Sequence, residues 1–155
     1  MKKKKGKKMV PKIKLTYKAT PIEQVRLDET ETTVKFLRQI FDKDTFLLQE
    51  ESIAILMNGH YLPIGFLKLG KGGKDMVAFD TKSILQAVLI SGADSFIIAH
   101  NHPNGVKYPS DQDLDLSFTL IRQANMMDID YIDNIILTHD NHFSMNENSL
   151  LWELH

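Results

Sequence analysis

Residues 95–113 read SFIIAHNHPNGVKYPSDQD. After Ser95, residues 96–99 are an unbroken apolar run, the mark of a buried strand, and the run turns polar at His100. His100 and His102 stand two apart at the C-terminal end of that strand, so the period of two puts both imidazoles on one face of the sheet. A loop with Pro103, Gly105 and Pro109 follows, and Asp111-Gln112-Asp113 opens a helix that runs to about Met126. The pattern is H-x-H-P-x(6)-S-x-x-D. Ser110 with Asp113 also reads as a capping box that satisfies free N–H groups at the helix start. Histidines at a strand end are often simply solvated. Together, a carboxylate in the first helical turn can be brought back over two imidazoles by a tight Pro/Gly loop. That makes a His2Asp set with an open position, the ligand number of a catalytic zinc.

Outward from this segment, helices and strands alternate. DETETTVKFLRQIF (28–41) places acidic residues and Thr ahead of Val34, Phe36, Leu37, Ile40 and Phe41 at helical spacing. ESIAILM (51–57) and HYLPIGFLKLG (60–70) flank Asn58-Gly59, a hairpin signal, and Pro63 makes the second strand irregular or an edge. Such an edge is open to pairing with an extended peptide. DMVAF (75–79) reads as a short strand. Asp80 reads as the cap of a helix through TKSILQAVLI that Gly92 stops. Leu114, Phe118, Leu120, Ile121 and Ala124 form the apolar side of the helix from Asp111. YIDNIILT and HFSM make a last strand pair, and SLLWEL a short amphipathic end. Leu67, Leu69 and Val77 read as strand residues, and Met126, Met127 and Trp152 as packing residues. The class is α/β (α+β), one mixed sheet flanked by helices, in a single domain.

The chain has 155 residues, 43% hydrophobic and 25% charged, enough for one compact core. Its net charge of −1 conceals a division: six of nineteen basic residues lie at Lys2–Lys5, Lys7 and Lys8, leaving thirteen basic against twenty acidic residues, a net of −7, on residues 9–155. The start reads as a disordered basic tail (1–9), followed by an extension (10–28) and the domain proper (29–155). No stretch has the length of a signal-peptide core or a membrane span, so the expected location is the cytoplasm. With no cysteine, thiolate zinc sites and thiol nucleophiles are excluded, and any metal must sit on His, Asp or Glu. His139 and His142 read as a polar hairpin tip, and His60 and His155 as solvated. GKGGK (70–74) lacks the spacing of a phosphate loop.

The joint motif resembles the JAMM metalloprotease motif of MPN-fold proteins, an upstream Glu followed by H-x-H-x(7)-S-x-x-D. AHNHPNG with PSDQD is similar to the RadC-like branch of that superfamily, where AHNHPSG followed by PSxxD is usual. The resemblance covers roughly residues 29–151. It implies an MPN/JAB domain of cytidine-deaminase-like fold and one zinc ion per chain on His100, His102 and Asp113. Ser110 then donates to the developing oxyanion, and a carboxylate on the first strand acts as general base. The family segment E-x-F-x-V-L-x-L-N aligns with residues 50–58 with Glu50 as that carboxylate. Glu51 is its rival, since alternation lets only one of them face the ion, and is read as solvated at the strand start.

The implied activity is hydrolysis of an amide or isopeptide bond in a peptide or protein. Two alternatives accompany it: a DNA-associated repair or recombination accessory, by the family's traditional link and the basic tail, and a non-catalytic zinc-binding scaffold. The acidic body opposes nucleic-acid binding beyond the tail. Three departures from the family pattern stand out. Asn104 replaces the usual Ser, and Asp133-Asn134 replaces Asp-His. Fewer than fifty residues precede the first domain strand, too few for the helix–hairpin–helix region of longer RadC-like proteins.

Overall fold

The computed structural model describes residues 10–12, 16–72 and 80–152. The basic tail, the strand expected at 75–79 with Val77, the end of GKGGK, and His155 lie outside the described residues. The elements are α1 (Thr30–Ile40), β1 (Glu50–Met57), β2 (Pro63–Gly72), α2 (Thr81–Ser91), β3 (Ser95–Asn101), α3 (Asp111–Asn125), β4 (Asp130–Leu137) and β5 (His142–Ser144). They build a mixed five-stranded sheet in the order β2-β1-β3-β4-β5, in which only β3 and β4 run parallel. No helix among the described residues is long and apolar enough to cross a membrane.

The central strands β1 and β3 are apolar without alternation because helices cover both faces of the sheet. On one face, Ala54, Leu56, Phe96 and Ile98 pack with Ile84 and Val88 of α2 and with Leu120, Ile121 and Ala124 of α3. On the other, Ile53, Ile55, Met57, Ile97 and Ala99 pack with Val34, Phe36, Leu37 and Ile40 of α1, and Leu27 adds to that layer. Each strand thus sends even-numbered residues to the α2/α3 face and odd-numbered residues to the α1 face over this stretch. An extra residue, Ile132, between the Phe96–Tyr131 and Ile97–Asp133 pairs breaks the alternation in β4. Tyr131 and Asn134 therefore both meet Ser117 of α3: Asn134 Nδ2 donates to Ser117 Oγ (2.9 Å), which lies 3.2 Å from the Tyr131 hydroxyl.

Several local expectations hold in altered form. Helix α1 starts without a side-chain cap, because Asp28 pairs with Arg26 instead. The β1–β2 turn is a five-residue loop over residues 58–62 rather than a two-residue Asn-Gly turn. Asn58 closes it by accepting from the N–H groups of His60 and Leu62, and Tyr61, not Gly59, takes the positive φ of 59°. Pro63 opens β2, which is an edge strand with two register shifts against β1. Asp80 caps α2 by accepting from the Lys82 N–H, and Gly92 ends it at φ 68°.

The buried stripe of α3 is Asp113, Ser117, Leu120, Ile121 and Ala124, so Leu114 and Phe118 flank it rather than form it. That stripe continues to Met127 and turns Met126 outward. Met126 and Trp152 are accordingly exposed rather than packed, and the indole N–H of Trp152 donates to Asn146.

Candidate metal centre

The parallel β3–α3–β4 crossover forms the site. β3 ends at Asn101, and His102 continues in line because its N–H donates to the Leu137 carbonyl (2.8 Å). The chain then turns through Gly105 at φ 79°, a left-handed conformation that suits glycine. Asn104 Oδ1 accepts from the Val106 N–H (3.0 Å), and the Val106 carbonyl lies 2.6 Å from His102 Nδ1. The carbonyl can only accept, so His102 carries its proton on Nδ1 and turns the Nε2 lone pair inward. Asn104 thus supplies the turn's side-chain acceptor in place of the family's usual Ser.

Helix α3 begins with the expected capping box. Ser110 Oγ accepts from the Asp113 N–H (3.2 Å), and the Ser110 N–H and O–H both donate to Asp113 Oδ2 (2.7 Å each). The box holds a carboxylate at the third helical position against the two imidazoles. His100 Nε2 is 3.1 Å from His102 Nε2 and 3.2 Å from Asp113 Oδ1, and His102 Nε2 is 3.7 Å from Asp113 Oδ2. His100 and Asp113 are buried, while His102 is partly open to solvent. Burial alone would raise the Asp113 carboxyl. The hydrogen bond and charge of His100, with the two bonds from Ser110, outweigh burial and hold it well below the usual carboxylate range.

This donor set suits a cation. A tetrahedral centre with bonds of 2.0–2.2 Å separates its ligands by about 3.3–3.6 Å, and the imidazole pair and the two contacts to Asp113, one to each carboxylate oxygen, lie near that spacing. The Nε2 atoms of both imidazoles and the Asp113 carboxylate face one another at these distances. His100 Nδ1 is buried with no hydrogen-bond partner among the described residues.

Glu50, His100 and His102 form a group whose ligand-capable atoms lie within 4.8 Å of one another. Even-numbered Glu50 shares the α2/α3 face with the histidines. Glu51 faces the other way and is buried rather than solvated. Its carboxylate pairs with Lys68 Nζ at 2.6 Å and accepts from the Asp42 N–H at 3.2 Å. The reason is the loop over residues 42–49, which folds over the α1 face and covers it. His139 bonds Asp140, while His142 faces Glu31, so that pair points to separate partners, and His60 is exposed.

Two polar residues of the site's surroundings have partners that no motif reveals. Asn101, between the two histidines, is fully buried on the α1 face and makes three hydrogen bonds to the segment that precedes Ser52. Asn134, where the family pattern has His, is buried beneath α3 and bonded to Ser117. An H-N-H triplet does signal a middle residue turned to the opposite face, but nothing in it reveals what waits there.

Comparison with known proteins agrees with this geometry. The RadC-like JAB domain family matches residues 27–150. A UPF0758 protein of Gloeothece citriformis is 30% identical over 140 residues, and one of Synechocystis is 29% identical over 143 residues. Each alignment covers 90% of this chain and 56% of the relative. A UPF0758 protein of Neisseria gonorrhoeae is 29% identical over 116 residues, 75% of this chain and 50% of the relative. The chain spans about half the length of these curated relatives. With the family match over most of its length, and the end of β3 and the start of α3 bringing the H-x-H…S-x-x-D residues together, the chain belongs to the RadC-like JAB domain family.

Proposed function

We propose that this domain is a zinc-dependent hydrolase that cleaves an amide or isopeptide bond in a peptide or protein. One observation carries the reading: two imidazoles and a buried carboxylate converge within 3.1–3.7 Å, with a second carboxylate, Glu50, within 4.8 Å of the imidazoles. His100, His102 and Asp113 would hold the ion. When bound, it supplies a Lewis acid that lowers the pKa of a water to near ~7.

The protein's own groups do the rest. Val106 fixes the His102 tautomer, and Ser110 orients Asp113 through two hydrogen bonds. Glu50 takes the proton of the attacking water and returns it to the leaving amine. The Ser110 hydroxyl, which rests on Asp113, turns to the carbonyl oxygen as negative charge develops there, a contribution of ~3 kcal/mol.

The test is a chelator-stripped chain reloaded with zinc and incubated with a peptide library that includes lysine isopeptides, with newly freed amines read by mass spectrometry. Wild type cleaves, and Glu50→Gln holds one zinc per chain without cleaving. Cleavage by Glu50→Gln at the wild-type rate removes Glu50 from the mechanism. Zinc bound with no cleavage of any peptide favours the scaffold reading.

A further inference from the structure

We infer that Asn101 is a positioning residue, which sets Glu50 beside the ion from the opposite face of the sheet; this rests on the proposed metal centre. The Glu50 carboxylate has no hydrogen bond or ion pair among the described residues, so its backbone decides where it stands. That backbone lies at the start of β1, paired with Gly72 of β2 on one side only. The β1–β3 ladder stops at the Ser52–His100 pair, leaving Glu50 and Glu51 without strand partners on that side.

The Asn101 side chain continues the ladder. Its Oδ1 accepts from the Glu51 N–H (2.7 Å), and its Nδ2 donates to the carbonyls of Phe46 (2.6 Å) and Gln49 (2.9 Å). Residues immediately before and after Glu50 are thereby tied to the strand that carries both histidines. Alternation makes this possible, since His100 and His102 point forward only if Asn101 points back. A buried amide with all its polar atoms engaged fixes one geometry, because leaving any of the three bonds unmade costs the full desolvation of the exposed group. Glu51 reinforces the arrangement from the same face through Lys68 and the Asp42 N–H, and Lys71 pairs with Asp42 at 2.7 Å.

The experiment is a double-mutant cycle on the zinc dissociation constant of the full chain, with zinc as the only ligand. A carboxylate within a few ångströms of a divalent ion strengthens its binding even in water-like surroundings, so Glu50→Gln weakens zinc by roughly tenfold in the wild-type background. With Asn101→Ala the carboxylate is no longer held, and the further effect of Glu50→Gln shrinks to roughly twofold or less.

A purely structural Asn101 would lower affinity by the same factor whether residue 50 is Glu or Gln, and that additive result overturns the inference while leaving the metal centre intact. A wild-type chain that binds no zinc removes the metal centre and the inference together. Zinc binding indifferent to Glu50→Gln shows Glu50 away from the ion and also overturns it. Asn101→Ser, which keeps a small polar group but reaches neither carbonyl, supplies the same cycle if the alanine chain does not fold.

Discussion

Asp133 offers a quantitative test of the buried polar framework. It is 4% exposed, and burial pushes its carboxyl from the ordinary value near 3.8 up to about 6. The hydrogen bonds donated by the Ser144 hydroxyl and the Asn146 N–H oppose the rise only in part. Because the folded state holds this proton more tightly than the unfolded chain, the contribution to stability is fully present below about pH 4. It is lost as pH rises through 6. Two pH units at about 1.4 kcal/mol each come to about 3 kcal/mol.

Asp133→Asn removes the titration and keeps both partners: its oxygen accepts from Asn146, and its amide donates to Ser144 Oγ. Urea unfolding of both chains in chelator, from pH 4 to pH 7.5, isolates the group from metal linkage. The stability of Asp133→Asn relative to wild type should rise by about 3 kcal/mol across that window, or roughly 6–12 °C in Tm for a domain of this size. Curves that stay parallel would show that Asp133 is not a buried, protonatable carboxyl.

Two further outcomes follow from local geometry. Gly92 ends α2 at φ 68° with open space where a Cβ would sit, so Gly92→Ala costs only left-handed backbone strain, about 1 kcal/mol by urea melt. A loss several times larger would mean that the space is filled. Asn104→Ala frees the Val106 N–H and with it the carbonyl that orients His102, weakening zinc roughly tenfold in a chelator competition, while Asn104→Ser stays within about twofold. Equal affinity in all three chains would break that chain of contacts.

What the sequence could disclose follows from where the information lies. β1 and β3 were legible because a strand covered on both faces is apolar throughout, and α2 because Asp80 and Gly92 mark its ends with local chemistry. The spacing of His100, His102, Ser110 and Asp113 was legible because strand period and capping box are both short-range rules. The partners of Glu51 and Asn101 were not. They depend on the 42–49 loop crossing the α1 face, a tertiary event with no periodic signal.

The loop at Asn58 is longer than the turn that Asn-Gly suggests because Asn can close a longer loop with its side chain as readily as start a tight one. The exposed Met126 and Trp152 show the same limit. Residue type favours burial, but the stripe of α3 and the hydrogen bond of Trp152 to Asn146 decide it.

Whether His100, His102 and Asp113 gather a zinc ion can be read from a zinc-edge anomalous map of crystals of the zinc-loaded chain. One peak per chain is expected, bonded to His100 Nε2, His102 Nε2 and the Asp113 carboxylate, with Glu50 nearby but outside bonding distance. No peak at saturating zinc, or a peak ligated by Glu50 with Asp113 turned away to Ser110, would contradict it.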